Sequence, residues 1–199
     1  MTQTTRDKMI IGTADLLRRR GINATSIREV VKHTGTPRGS IAHHFPDGKR
    51  QLLQAALTFA GDEVSVPLAS LLRQYGTVGG LEQFIRGWRD LLQQTDYQAG
   101  CAVLAVAVEQ LSDADSSEEH AAQHALLDQA DSIFTHWRAL ISNALQAESM
   151  PIAQADAQAL LVIASVEGSV ALCRAARSCA PLDALWHTLQ LQIEHALSN

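Results

Sequence analysis

The chain has 199 residues, of which 46% are apolar and 5% aromatic, so it is long enough to bury a core and is not a disordered tail. Ten Lys and Arg and four acidic residues lie in the first fifty positions, against six Arg and seventeen acidic residues in the rest. A basic head of net charge +6 on an acidic body of −11 indicates that only the head meets a polyanion. A basic surface without a partner has the same composition.

No export or membrane signal is visible in the sequence. Residues 1–11 lack the apolar stretch of a signal peptide, and the longest apolar run, residues 101–108, is too short to cross a bilayer. Cys101, Cys173 and Cys179 are an odd number of cysteines and are expected to be reduced thiols. We therefore expect a cytoplasmic protein that has no membrane partner.

The N-terminal region predicts a pair of helices. Apolar side chains at helical spacing place the first over residues 6–20. Thr25 or Ser26 caps the second, near residues 27–33, and Glu29 follows Ser26 at the spacing of a capping box. Both helices are amphipathic, so we expect them to share a core.

A third short helix follows almost at once. Gly35 suits the left-handed conformation that ends a helix, and Pro37 suits the start of a new one. We expect this helix over residues 38–44. Two short helices joined by a tight, glycine-containing turn have the layout of a helix-turn-helix.

The rest of the chain also predicts helices and no strand. A long helix over residues 49–75 should be kinked or split by Pro67, and residues 76–80 should form a loop. The remaining helices are expected near residues 81–94, 101–111, 117–147, 153–177 and 181–197. The expected fold is therefore all-α with about nine helices.

The string TSIREVVKHTGTPRGSIAHHFPDGKRQLL, residues 25–53, resembles the DNA-binding domain of the TetR family of transcriptional repressors. The shared marks are Thr25, Gly35, Gly39-Ser40, His44-Phe45, Gly48-Lys49 and Leu52-Leu53. Gly100-Cys101-Ala102-Val103 and Glu167-Gly168 resemble the subgroup that includes the LmrA and YxaF repressors. One departure is Ala42, where the family often carries an aromatic residue that contacts the DNA backbone.

The resemblance implies a DNA-binding domain over residues 1–50 and a helical effector-binding and dimerisation domain over residues 51–199. Arg38 is the expected base reader, because a guanidinium can bind guanine O6 and N7 together. Phe45 is expected in the core rather than on a base. The full set of expected DNA contacts is Thr25, Ser26, Thr36, Pro37, Arg38, Gly39, Ser40, His43, His44 and Lys49.

The body is expected to dimerise and to bind a small molecule. Candidate dimer-interface residues lie on the last two helices, although the same faces could pack inside one chain; they are Ala164, Gly168, Ala171, Leu182, Leu185, Leu189 and Ile193. Candidate pocket residues are Phe84, Trp88, Cys101, Leu104, Val108, Phe134 and Trp137. This lining predicts a mostly apolar effector, and no cofactor is expected. The resemblance implies that effector binding alters the separation of two recognition helices and releases operator DNA.

Three alternatives stay open. His120 and His124, four residues apart on one helix, have a usable metal spacing, but the HExxH order and a third ligand are missing. Cys173 and Cys179 could form a redox switch if the turn between them folds back. The protein could also be an activator or carry an inactive DNA-binding head, although residues 38–44 argue against an inactive head.

Overall fold

The protein is described by a computed structural model that covers residues 3–110 and 117–198. Every regular element in these two ranges is a helix, which confirms the all-α prediction. In chain order they are α1 Thr5–Arg20, α2 Ile27–Thr34, α3 Ser40–His44, α4 Lys49–Gln94, α5 Ala102–Val108, α6 Ser117–Ala147, α7 Ile152–Ala176 and α8 Ala180–Leu197.

The chain divides into two compact units. The first unit comprises Met1–Asp62 and Cys101–Ile133, and the second comprises Glu63–Gly100 and Phe134–Asn199. The N-terminal helices therefore form a compact body together with α5 and the first half of α6. The functional division at residue 50 stays a prediction.

The start of α1 is fixed by reciprocal hydrogen bonds. The backbone N–H of Asp7 donates to the Thr4 hydroxyl at 3.1 Å, and the Thr4 N–H donates to the Asp7 carboxylate at 3.1 Å. This is a capping box, which satisfies N–H groups that lack a partner inside the helix. Hydrogen bonds from the Thr4 hydroxyl and N–H hold the pKa of Asp7 below its usual value.

The segment α4 consists of two helical parts that meet at a kink at Gly76, close to the predicted end of the first part at residue 75. Two predictions are wrong: Pro67 does not split the first part, and residues 77–80 are helical and not a loop. The proline lies on an exposed face, where water can bind the carbonyl that loses its helical partner. The one non-helical residue is Gly76 (φ 71°, ψ −177°). Helix resumes at Thr77 because its N–H and hydroxyl both donate to the Glu148 carboxylate, at 2.9 and 2.6 Å.

Two helices, α4 and α7, are long and apolar enough to cross a membrane by length and composition alone. α7 packs against α8 and buries ten of its 25 side chains. Packing in the second unit therefore accounts for much of the apolar composition of α7. The short α5 ends at Val108, before the predicted end at residue 111, which lies outside the described residues.

Candidate nucleic-acid interface

The turn between α2 and α3 is set by local chemistry. The Ser26 hydroxyl accepts the N–H of Glu29 at 3.2 Å and caps α2. Gly35 ends α2 with φ 63°, a left-handed conformation that glycine adopts without the strain of a Cβ. The hydroxyls of Thr34 and Thr36 lie 2.7 Å apart. The Thr34–Thr36 hydrogen bond therefore bridges the turn at Gly35, while Ser26 fixes the opposite end of α2.

α3 begins two residues later than the sequence predicts. Arg38 and Gly39 form the turn before it, not its first residues. The Ser40 N–H donates to the Pro37 carbonyl at 3.0 Å, and the Ile41 N–H donates to the Arg38 carbonyl at 3.2 Å. These i to i+3 bonds continue the helical path backwards, so Arg38 stands at the entry of α3.

One side of α3 is fixed in the core of the first unit. Ile41 and Phe45 are buried, and Phe45 is fully inaccessible to solvent. The Arg6 guanidinium lies 5.3 Å from the centroid of the Phe45 ring, within cation–π range. The other buried members of this cluster are Met9, Ile10, Leu16, Val30 and Leu52. Phe45 is thus a core anchor, as predicted.

The opposite side of α3 faces solvent. Arg38 is exposed, and its side chain makes no hydrogen bond or ion pair with any residue in the described ranges. The rings of His43 and His44 meet edge to face with centroids 4.8 Å apart. The exposed or half-exposed residues on this side are Pro37, Arg38, Gly39, Ser40, Ala42, His43 and His44. Seven of the ten expected DNA contacts therefore remain accessible when Ser26 is included.

Two of the expected DNA contacts are buried. Thr25 is 1% exposed, and its hydroxyl donates to the Gly21 carbonyl at 2.7 Å. Thr36 is also buried, and its hydroxyl bonds to that of Thr34. We infer that these two residues shape the head. The tenth, Lys49, is half-buried at the first position of α4.

Charged residues also join α1 to α2. The Asp15 carboxylate lies 2.9 Å from Arg19 Nε and 3.0 Å from His33 Nε2. Arg20 pairs with Glu29 at 3.3 Å. Two arginines of the run at 18–20 are therefore engaged inside the head, as an alternative to contacting DNA.

The candidate pocket residues fall in both compact units. In the second unit, Phe84 and Trp88 meet edge to face at 6.4 Å between ring centroids, and Phe134 and Trp137 do so at 5.3 Å. Trp88 is buried, and its Nε1 has no hydrogen-bond partner among the described residues. In the first unit Cys101 is buried, Leu104 is half-buried and Val108 is 71% exposed.

A separate groove of about 340 Å³ lies in the second unit. None of the seven candidate pocket residues lines it. Its lining residues are Ala69, Leu72, Arg73, Thr77, Leu140, Asn143, Ala144, Ala147 and Glu148.

The candidate dimer residues also separate into two sets. Leu182, Leu189 and Ile193 are buried within the second unit, and Leu185 is half-buried. Ala164, Gly168 and Ala171 on α7 are exposed. A Cβ added at Gly168 would meet no atom within 4 Å, so this part of α7 is uncovered.

The histidine and cysteine alternatives have little geometric support. Among the side chains that the structure describes, in residues 3–110 and 120–198, no group of three His, Cys, Asp or Glu could hold a metal. Cys173 and Cys179 are free thiols and both are buried. Burial raises the pKa of the Cys173 thiol, which keeps it in the unreactive neutral form. A hydrogen bond with Cys179 and burial raise the pKa of Tyr97.

Glu109 is a contact that the sequence reading missed. Its carboxylate accepts the backbone N–H groups of Ile22, at 2.5 Å, and Asn23, at 3.2 Å, in the turn after α1. The only hint in the sequence is Gly21, whose positive φ marks a tight turn but does not identify what packs against it.

A short helix with a buried anchor, a tight preceding turn and an exposed polar face on a basic head define a helix-turn-helix DNA-binding protein. Residues 10–56 match the sequence model of the TetR family of bacterial regulatory proteins, and residues 77–187 match that of the LmrA/YxaF-like transcriptional regulator C-terminal domain. The chain belongs to the TetR family of transcriptional regulators and has an LmrA/YxaF-like C-terminal domain.

Curated relatives agree over nearly the full length. An HTH-type transcriptional regulator of Mycobacterium tuberculosis is 34% identical over 94% of this chain and 93% of its own. The YxaF regulator of Bacillus subtilis is 25% identical over 89% of this chain and 88% of its own. The LmrA regulator of Bacillus subtilis is 21% identical over 89% of this chain and 90% of its own. The chain is thus a regulator of transcription and not an enzyme.

Solved structures agree with the fold. A TetR regulator from Legionella pneumophila has a TM-score of 0.81 at 17% identity and covers 96% of this chain and 98% of its own. A TetR regulator from Chloroflexus aurantiacus has a TM-score of 0.75 at 28% identity, with 96% and 94% covered.

Proposed function

We propose that this protein is a repressor whose homodimer binds a palindromic operator and is released by a small, mostly apolar ligand. The observation that carries the proposal is the exposed face of α3, where the Arg38 side chain has no partner among the described residues. Residues 1–50 bind DNA in this proposal, and residues 51–199 bind the effector and the second subunit. A regulator of this kind works in the cytoplasm, where the DNA is, and needs no cofactor.

The exposed face of α3 supplies base recognition. Arg38 stands at the helix entry, the part of a recognition helix that meets base edges in the major groove. Its fork of N–H donors fits guanine O6 and N7. Ser40 and His43, which lie three residues apart on α3 and are half-exposed and exposed, are placed to contact neighbouring bases or phosphates. Gly39 brings the backbone close to the groove because it has no side chain.

Phosphate contacts come from residues around the recognition helix. Ser26 lies at the N-terminus of α2, and Lys49 lies at the start of α4. Helix N-termini and ammonium groups both attract phosphate. In this proposal His44 and the backbone at Pro37 complete the positioning contacts. These phosphate contacts orient the head on DNA but do not distinguish one base sequence from another.

An uncovered apolar face on α7 supports a dimer. Leu160 and Leu172 are 51% and 60% exposed, and Ala164 and Gly168 lie between them at four-residue spacing. Such a ridge, with small residues at its centre, allows close packing against a second helix. Exposed large apolar side chains on a soluble protein indicate an interface. The buried Leu182, Leu189 and Ile193 then support this face from within.

The dimer gives the operator its symmetry. A two-fold interface presents two identical recognition helices. They match half-sites of opposite orientation when they lie about 34–36 Å apart, one turn of B-DNA. A ligand that favours a dimer with a different separation lowers operator affinity by shifting the population.

The aromatic residues of the second unit support a mostly apolar effector. Phe84 and Trp88 contact each other, as do Phe134 and Trp137. A buried indole N–H without a partner costs about 1–3 kcal/mol, so an acceptor on the ligand that binds Trp88 Nε1 would recover free energy. We expect an aromatic or apolar molecule that carries one hydrogen-bond acceptor.

The test is selection of genomic DNA fragments by the purified protein at about 150 mM salt. Enrichment of a palindrome with half-sites about one helical turn apart, bound by two chains, supports the proposal. Weak binding without a common motif, with affinity set only by salt, contradicts it. Candidate ligands are then screened for release of the selected fragment, and a ligand that tightens the complex would contradict the release mechanism.

A further inference from the structure

The turn between α1 and α2 has a partner from far along the chain. The N–H groups of Ile22 and Asn23 both donate to one oxygen of the Glu109 carboxylate, which lies 87 and 86 residues away. The Asn23 side chain donates to the carbonyl of Gln110 at 2.7 Å. Three hydrogen bonds therefore fasten this turn to the two residues that follow α5.

The fit between the turn and Glu109 is close. Gly21 has φ 78°, and a Cβ built on it would collide with the Glu109 carboxylate. Any side chain at this position would either displace the carboxylate or strain the backbone. Hydrogen bonds from backbone N–H to a charged acceptor are stronger than neutral ones. Glu109 therefore acts on the shape of the turn, whereas Arg19 and Arg20 pair with acids within the head.

The turn leads directly into the DNA-facing part of the head. The Thr25 hydroxyl donates to the Gly21 carbonyl, and Ser26 caps α2 one residue later. Hydrogen bonds at Ile22, Thr25 and Ser26 therefore connect the Glu109 carboxylate to the N-terminus of α2. None of these hydrogen bonds involves a residue of α3.

A second contact fastens the same compact unit at α4. The Gln129 side chain on α6 donates to the Gln54 carbonyl at 2.9 Å and to the Thr58 hydroxyl at 2.8 Å. Ile133 packs against Gly61, where a Cβ would lie 3.1 Å from its side chain. Of these two contacts, the one made by Glu109 lies beside the turn that leads into α2, whereas the one made by Gln129 lies on α4.

We propose that Glu109 is a positioning residue that sets operator affinity from outside the DNA-contacting surface, by holding the α1–α2 turn and so the start of α2. The proposal rests on the DNA-binding function. The Glu109 carboxylate accepts the backbone N–H groups of the turn, and the Asn23 side chain adds a hydrogen bond to Gln110.

The experiment compares Glu109→Ala with Glu148→Ala on the selected operator fragment. Glu148 is the matched control, because its carboxylate also accepts a backbone N–H, that of Thr77, but does so in the second unit. Dissociation constants are measured over a range of salt concentrations, and amide exchange of Ile22 and Asn23 is followed by NMR. Asn23→Ala provides a milder variant that removes the side-chain bond to Gln110 and leaves the Glu109 carboxylate in place, in case Glu109→Ala does not fold.

We expect Glu109→Ala to weaken operator binding about threefold to thirtyfold with an unchanged salt slope, because no phosphate contact is lost. The Ile22 and Asn23 amides should exchange faster, Asn23→Ala should show a smaller effect in the same direction, and Glu148→Ala should bind within about twofold of the wild type. Unchanged operator affinity in a folded Glu109→Ala protein whose turn exchanges faster would overturn the proposal, as would an unchanged affinity in Asn23→Ala if that is the variant that folds. Failure of the wild-type protein to bind any operator would instead refute the proposed function.

Discussion

Replacing Arg38 by Ala separates base recognition from protein stability. The Arg38 side chain is exposed and bonds to no other residue in the described ranges, so its removal should change the free energy of unfolding by no more than about 0.5 kcal/mol. A bidentate arginine–guanine contact contributes about 1–3 kcal/mol of discrimination, so each half-site should lose about fivefold to 150-fold in affinity. Practically the whole effect should therefore appear in DNA binding.

The assay is a titration of the selected operator and of single-base-pair variants of it, with urea unfolding measured in parallel. Arg38→Ala should bind the operator and one particular variant equally, and Arg38→Lys should keep non-specific affinity but lose most of the discrimination. Arg86→Ala, which removes an arginine paired with Glu82 in the second unit, is the control for net charge. An equal loss on every sequence, or no loss, would refute the base-reading role.

Four further predictions follow from burial and charge. Lys49→Ala should weaken binding to every sequence and reduce the salt slope by about one, and an unchanged slope would argue against a phosphate contact. Phe45→Ala should cost about 3–5 kcal/mol by opening a cavity in the head, and near-wild-type urea unfolding would contradict its core role. Leu172→Glu should yield a folded monomer by light scattering, whereas Leu189→Glu, at a buried position, should lower the melting temperature; a stable dimer in the first case would exclude this α7 face from the interface. In the native protein Cys173 should alkylate far more slowly than after denaturation, because burial raises its pKa and blocks access, and rapid labelling would revive the redox alternative.

Local signals in the sequence predicted much of the fold. Ser26 and Gly35 act through their own backbone conformations and neighbouring N–H groups, so the limits of α2 follow from nearby residues. The apolar periodicity of residues 117–147 likewise predicted α6 with its observed bounds. These features depend on contacts within a few residues, which a sequence pattern records directly.

The wrong or missing predictions depend on distant contacts. Residues 76–80 read as a loop because Gly76 breaks the helix, but Glu148 caps the next turn from 71 residues away. Pro67 was expected to interrupt α4. The free-energy cost of a proline inside a helix depends on whether its face of the helix is exposed to water, and tertiary packing decides that exposure.

The candidate site shows the same limit. Thr25 matches the family motif, but only the structure places its hydroxyl on the Gly21 carbonyl and away from solvent. The contact of Glu109 with Ile22 is invisible in a linear pattern for the same reason. The apolar face of α8 was consistent with either a dimer interface or internal packing, and burial places Leu189 inside the second unit.

Mapping protected guanine N7 atoms on the selected operator by methylation protection tests the central claim most directly. If the exposed face of α3 reads DNA in a two-fold dimer, two symmetric clusters of protected guanines should lie about one helical turn apart in successive major grooves, and Arg38→Ala should remove one guanine from each cluster. Protection that spreads evenly along the fragment, or that persists unchanged in Arg38→Ala, would contradict the account.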